Sequence, residues 1–330
     1  MWVSVVKSNP RDAKAYASLG IVLAKEQKYE ESVTAYRKAL SLNPKLPGVQ
    51  LNLGLALFKQ GNFAAATIPL SKALEKDPSN LQARTLLGLS FYGNKNFAEA
   101  SKHLGIAAKA EPQNFELRST LAQSCLFAKR YACAEESFRE ILRQDPNSVA
   151  AHMLLGQALD QMERTSDAIS EFEKAVKLST DTPNVHFGLG LLYWKTHQFN
   201  EAANQFELEL KIDSENAQAL AYLGDVELKV GKVDSALLLL KKSSALKNDI
   251  RLVQLDLATI YADRKNYEDA IAAYRRAAEL DPSQPDVHYR LAQLYRAMGK
   301  PEESNKELAK VRELRERADE AAMRRSQKPE

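Results

Sequence analysis

Six prolines set the strongest constraint on this chain: Pro10, Pro44, Pro78, Pro112, Pro146 and Pro282 lie on one 34-residue lattice, with Thr180, Ser214 and Asn248 at the intervening sites and no insertion or deletion between them. A period of that length marks a stacked-repeat architecture, in which no unit buries its apolar face alone and neighbours complete one another's core. At 330 residues the chain exceeds the usual reach of one hydrophobic core, and the lattice favours an array over two globular domains.

Counting units from residue 13, the seventh position is leucine nine times: Leu19, Leu53, Leu87, Leu121, Leu155, Leu189, Leu223, Leu257 and Leu291. The eighth position holds only Gly or Ala and the twentieth only Ala or Ser, whereas position 24 is large, running from Tyr36 and Leu70 to Tyr274 and Leu308. Small residues belong where two helices cross closely, because a larger side chain would force the axes apart. The large column fills the space between successive pairs.

Each unit therefore reads as helix A, over about fourteen positions, followed by helix B. Asp12, Asn80, Asn114, Ser148, Thr182 and Asn216 are expected N-caps of A helices, and Pro47, Pro183 and Pro285 are expected at the first helical position, where a missing amide costs nothing. Gly61, Gly231 and Gly299 fall in the A-to-B turn, followed two residues later in most units by an aromatic such as Tyr29, Phe63 or Phe97. Pro69, inside a B helix, should remove one helical hydrogen bond and kink it.

These columns resemble the tetratricopeptide repeat (TPR) pattern over residues 13 to about 318. The resemblance implies an all-α fold, a right-handed superhelical solenoid of antiparallel helix pairs. Its units would span 13–46, 47–80, 81–114, 115–148, 149–182, 183–216, 217–250, 251–284 and 285–318. Residues 1–12, with Trp2 at position 24 and Val5 at position 27, read as the partial helix B of a truncated upstream repeat. Residues 319–330 read as the end of a capping helix and a frayed tail. One departure is position 4, where the family's frequent aromatic occurs as Tyr16 and the other units have Gln50, Arg84, Arg118, His152, His186, Leu220, Gln254 and His288.

Charge and motifs narrow the function. Lys+Arg 46 against Asp+Glu 43, interspersed and without like-charge blocks, disfavours nucleic acid as the main partner. No apolar run reaches the roughly 18 residues of a membrane span. The first residues lack the features of a signal peptide, so this chain alone points to a cytoplasmic protein, or a periplasmic one if a signal sequence lies upstream. Cys125 and Cys133, eight apart, read first as structural thiols and otherwise as a redox pair or metal ligands. No phosphate loop, HExxH, GxSxG or paired-cysteine spacing occurs, so neither catalytic residues nor a cofactor are expected. His152 and His186 share position 4 of neighbouring units; packing is the plainer reading, since zinc needs more ligands.

Binding is the better prospect. At about 100° per residue, positions 4, 7, 8 and 11 of helix A share one face and positions 2, 5, 9, 12 and 13 lie roughly opposite. In proteins this chain resembles, the second stripe lines a concave groove that holds extended partner segments. Here it carries Leu51, Leu55, Phe58, Leu89, Tyr92, Leu126, Phe127, Phe187, Leu191 and Trp194. Exposed apolar surface marks interaction sites and aromatics are favoured anchors; the competing reading is that curvature or the chain's own termini bury them. Toward the C-terminus the stripe turns polar, with Asp225, Thr259, Asp263, Asp286, Gln293 and Arg296, which read as solvated charges and polar groups. The Lys/Asn clamp of chaperone-tail binders and the asparagine ladder of O-linked N-acetylglucosamine transferases are absent. The expectation is a non-catalytic scaffold for a protein or peptide partner, of open oligomeric state; the alternative is the repeat portion of a larger enzyme, such as a glycosyltransferase, or of an envelope or secretion assembly factor.

Overall fold

The computed structural model describes residues 9–326, which form eighteen α-helices and no strand. Trp2 and Val5, most of the partial helix expected over 1–12, and the last four residues of the expected tail lie outside the described residues. The chain divides into two compact units, residues 1–171 and 172–330.

The first unit contains α1 (Ala13–Lys25), α2 (Tyr29–Leu42), α3 (Val49–Lys59), α4 (Phe63–Lys76), α5 (Leu81–Gly93), α6 (Phe97–Ala110), α7 (Phe115–Phe127), α8 (Tyr131–Gln144), α9 (Val149–Gln161) and the start of α10 (Thr165–Leu178). The second contains the rest of α10, then α11 (Val185–Lys195), α12 (Phe199–Ile212), α13 (Ala217–Lys229), α14 (Val233–Leu246), α15 (Arg251–Asp263), α16 (Tyr267–Leu280), α17 (Asp286–Ala297) and α18 (Pro301–Ser326). Odd-numbered helices are the A helices. Within each unit, every complete helix packs on the next and most successive A helices also touch, so each unit is a helical solenoid.

The core follows the columns. Of the position-7 leucines, eight from Leu53 to Leu291 are buried and Leu19 is half-buried. A Cβ added to Gly88 would stand 2.7 Å from Leu104 Cδ2, and one on Gly190 2.8 Å from Phe206 Cε1, so position 8 meets position 24 of its own repeat too closely for a methyl group. Where position 20 is serine, its hydroxyl is satisfied across the same crossing: Ser32 Oγ donates to the Gly20 carbonyl at 2.8 Å and Ser304 Oγ to that of Ala292 at 2.9 Å.

All nine A-to-B turns share one backbone. Position 15, from Gln27 to Gly299, has φ between 58° and 83°, although only Gly61, Gly231 and Gly299 are glycine. The next amide bonds back to position 11 each time, as in Lys28 N–H to the Leu23 carbonyl at 2.9 Å and Arg130 N–H to that of Cys125 at 2.8 Å. This is the left-handed termination that satisfies a helix's last carbonyls.

At the helix starts, Asp12, Asn80, Asn114, Ser148 and Asn216 accept from the backbone as caps. Thr182 does not. Its hydroxyl turns to Ser179 Oγ, and α11 begins after Asn184, whose φ is 65°. The sixth repeat is capped instead from α12: fully buried Glu209 accepts from the amides of Asn184, at 2.8 Å, and Phe187, at 3.1 Å. Pro47 and Pro183 likewise stand two residues ahead of their helices, each followed by a left-handed residue, Gly48 or Asn184, in the arrangement of a type II turn. Pro285 occupies the N-cap of α17. Helix α4 runs on through buried Pro69.

The cysteines are not free thiols. Cys125 and Cys133, at positions 11 and 19 of one repeat, are joined as a disulfide that ties α7 to α8, their Cα atoms 5.7 Å apart. Positions 11 and 19 face each other across the A–B crossing, a juxtaposition that eight residues of spacing do not reveal.

Candidate protein-interaction face

Position 4, where this chain departs from the family's aromatic, is a hydrogen-bonding site. Arg84 and Arg118 donate to the carbonyls of Pro78 and Pro112 at 2.5 and 3.1 Å, and His152 Nε2 lies 3.0 Å from that of Pro146. Each of these side chains reaches back to the lattice proline that closes the preceding repeat. The histidines also reach forward to position 23 of their own repeat: Nδ1 of His152, His186 and His288 lies 2.6 Å from Glu171, Gln205 and Glu307 respectively. Both nitrogens of His152 thus face protein acceptors. Among the described residues no three His, Cys, Asp or Glu side chains gather as a metal site would.

On the opposite stripe, the first unit presents a run of apolar and aromatic side chains. Phe58 meets Phe63 edge to face at 5.4 Å and Tyr92 meets Phe97 at 5.7 Å, position 12 of an A helix against position 17 of its own B helix. Phe97 continues to Phe127 at 4.8 Å, and the Tyr92 hydroxyl donates to Gln123 at 2.6 Å. Phe127 is 53% exposed, whereas its neighbour Leu126 is 6% exposed and belongs to the packing. The turn of 100° per residue puts positions 12 and 13 on diverging directions, and only the second clears the neighbouring helix. Leu55 lines an open cleft, Leu51 sits beside Leu46 and Pro47, and Leu89 is half-buried.

In the second unit Phe187 packs on Phe206 and Tyr222, both at 5.9 Å, and Trp194 meets Tyr222 edge to face at 5.1 Å. Leu191 and Trp194 are half-buried. The Trp194 indole donates to Asp225 at 2.5 Å, and Lys229 pairs with the same carboxylate while lying 5.7 Å from the indole centroid. Asp225 is 2% exposed, so it is a buried, paired charge rather than a solvated one. Asp256, at position 6 of the next repeat, has a buried Oδ2 with no hydrogen-bond partner among the described residues. Burial, then the Asp225 charge, pushes its pKa up to about 7 against the pull of Lys229 and Arg290. Burial and Asp225 likewise raise the Tyr222 phenol. Tyr193, which donates to Glu173 at 2.9 Å, is pushed up to about 12, chiefly by burial.

Neither Tyr222 nor Asp256 lay on the sequence-derived stripe. Their position 6 lies between the packing and open faces, and only the neighbouring repeat decides which way it turns. The Asp225/Lys229 spacing of four was the visible signal.

Models of two families described as tetratricopeptide repeat match residues 91–158 and 126–186, and 51–114 and 187–249; a third, described as TPR repeat, matches 20–61 and 258–299. The chain belongs to the tetratricopeptide repeat family. No curated protein matches its sequence. Among solved structures this TPR chain is similar to the APC/C hetero-tetramer Cut9-Hcn1, with TM-score 0.58 and 14% identity over 92% of this chain and 73% of that one. It is also similar to YrrB, a TPR protein with an unusual peptide-binding site, with TM-score 0.46, 20% identity and coverage of 55% and 93%. MamA from Desulfovibrio magneticus RS-1 aligns with TM-score 0.47, 19% identity and coverage of 52% and 97%. These likenesses concern the fold. The TPR architecture is that of a protein-interaction scaffold, and no helix among the described residues is long and apolar enough to cross a membrane.

Proposed function

We propose that this TPR chain is a non-catalytic scaffold that holds an extended, partly apolar segment of a partner protein along the open stripe of its A helices. The observation that carries this reading is the run Leu55, Phe58, Tyr92 and Phe127 in the first unit, with Phe127 53% exposed although large and apolar. Such side chains supply contact area at low conformational cost and are favoured as anchors. Phe187, Leu191 and Trp194 form the corresponding stretch of the second unit.

The test is selection of 12-residue peptides from a random display library on the full chain and on a Tyr92→Ser/Phe127→Ser variant. Peptides enriched on the wild type should lose about tenfold or more on the variant, the effect of removing one interfacial hot spot. Enrichment indifferent to these side chains would place binding elsewhere.

A further inference from the structure

We propose that the cleft between α1 and α3 anchors an acidic segment of the partner, seating one large apolar side chain with a carboxylate two residues away on each side. The inference rests on the A-helix stripe being the binding face, and it names the chemistry of the ligand there.

The cleft exists because the position-12 aromatic is missing. Phe58 and Tyr92 fill this site in the second and third repeats by packing on Phe63 and Phe97. In the first repeat position 12 is Ala24, and Tyr29 at position 17 has no ring opposite it among the described residues. What remains is a space of about 380 Å³ lined by Ile21, Tyr29 and Leu55, within the roughly 300–1,000 Å³ range of ligand clefts. Ile21 is 41% exposed there.

Its rim is cationic. Lys25 and Lys59 border the cleft, each at position 13 in the last turn of its helix. The seventh repeat shows what such a lysine takes when a carboxylate is within reach: Lys229, also at position 13, pairs with Asp225 at position 9 of the same helix. In the first two repeats position 9 is Ile21 and Leu55. Lys25 and Lys59 consequently have no ion pair among the described residues, and the partner supplies the missing carboxylates. Neighbouring helix axes stand about 8–10 Å apart, so the two ammonium groups suit two separate carboxylates better than one. In an extended peptide, side chains two residues apart share a face about 6.6 Å apart, so acidic residues on either side of the apolar one stand about 13 Å apart, a span that two long lysine side chains splaying from the two helices reach; the order is acidic, any, large apolar, any, acidic.

The same random 12-residue library, selected at low salt, tests this. The enriched set on the wild type should carry that five-residue pattern. Synthetic peptides bearing it should bind about fivefold more weakly to each of Lys25→Ala and Lys59→Ala, the scale of one exposed ion pair. The Lys25→Glu/Lys59→Glu variant should select basic residues at the same two places. Both lysines are exposed, and circular dichroism of each variant verifies the fold. Enriched peptides that depend on Tyr92 and Phe127 but are indifferent to both lysines would overturn the acidic-segment inference and leave the scaffold reading standing. Failure of any peptide to enrich through the A-helix face would overturn both.

Discussion

The indole N–H of Trp194 donates to the Asp225 carboxylate at 2.5 Å, joining α11 to α13 across adjacent repeats, and Lys229 closes on the other oxygen. Substituting Asp225→Ala leaves a half-buried indole N–H and an ammonium without their partner. The expected loss is about 2–4 kcal/mol of unfolding free energy. Urea titration measures it, and in a Trp2→Phe background the emission of Trp194 should shift with it. Unchanged stability and emission would show that the bond does not hold in solution.

Asp256 gives the second unit a defined pH response. Its pKa is raised from the ordinary 3.8 to about 7, chiefly by burial, so the folded chain keeps a proton that the unfolded chain has released. The associated stability is fully present below pH 4 and is lost as pH rises toward 7. The Asp256→Asn variant should gain on the wild type across that window, by at most about 1.4 kcal/mol per pH unit, and hold a constant difference above it. Urea unfolding from pH 4.5 to 8 reads the slope, and parallel curves for the two proteins would refute the assignment.

Position 15 stores strain in the repeats without glycine. Lys129 has φ of 58° and Gly231 of 83°. Lys129→Gly should raise stability by about 0.5–1 kcal/mol and Gly231→Ala should lower it by about 1 kcal/mol. Opposite signs at equivalent positions, in calorimetric melts, form the signature. Two losses would mean that unfolded-state entropy outweighs the relief of strain.

The Cys125–Cys133 bridge joins residues eight positions apart, for which constraint of the unfolded chain amounts to about 2.5 kcal/mol. Either Cys→Ser variant should lose this amount. Reductant should lower the wild-type melting temperature to that of the variants and leave the variants unmoved. A wild-type melt insensitive to reductant would show that the bridge contributes nothing.

Much of the fold was legible because the repeat writes each packing rule nine times. The leucine at position 7, the Gly88–Leu104 approach and the caps from Asp12 to Asn216 each follow from a residue type recurring at fixed spacing. Thr182 misled because Pro183-Asn184 moved the helix start by two residues, and the cap came from Glu209, which is 25 positions beyond Asn184. Leu126 shares the apolar character of Phe127, and no local pattern says which of two adjacent apolar side chains clears the next helix. The disulfide was hidden for a related reason, since eight residues of separation become adjacency only once helices A and B cross.

By itself the sequence determined the period, the helix pairs and the small-against-large columns at positions 8 and 24, because those contacts close within one 34-residue unit and repeat with it. Only the tertiary structure decided the fate of residues that do not repeat: Asp225 buried beneath Trp194, Asp256 left with an unpartnered oxygen, Glu209 capping α11, and Ala24 opening a cleft beside Lys25 and Lys59. Their surroundings are set by adjoining helices and repeats. A side chain's charge, burial and partners there depend on two stretches of chain at once.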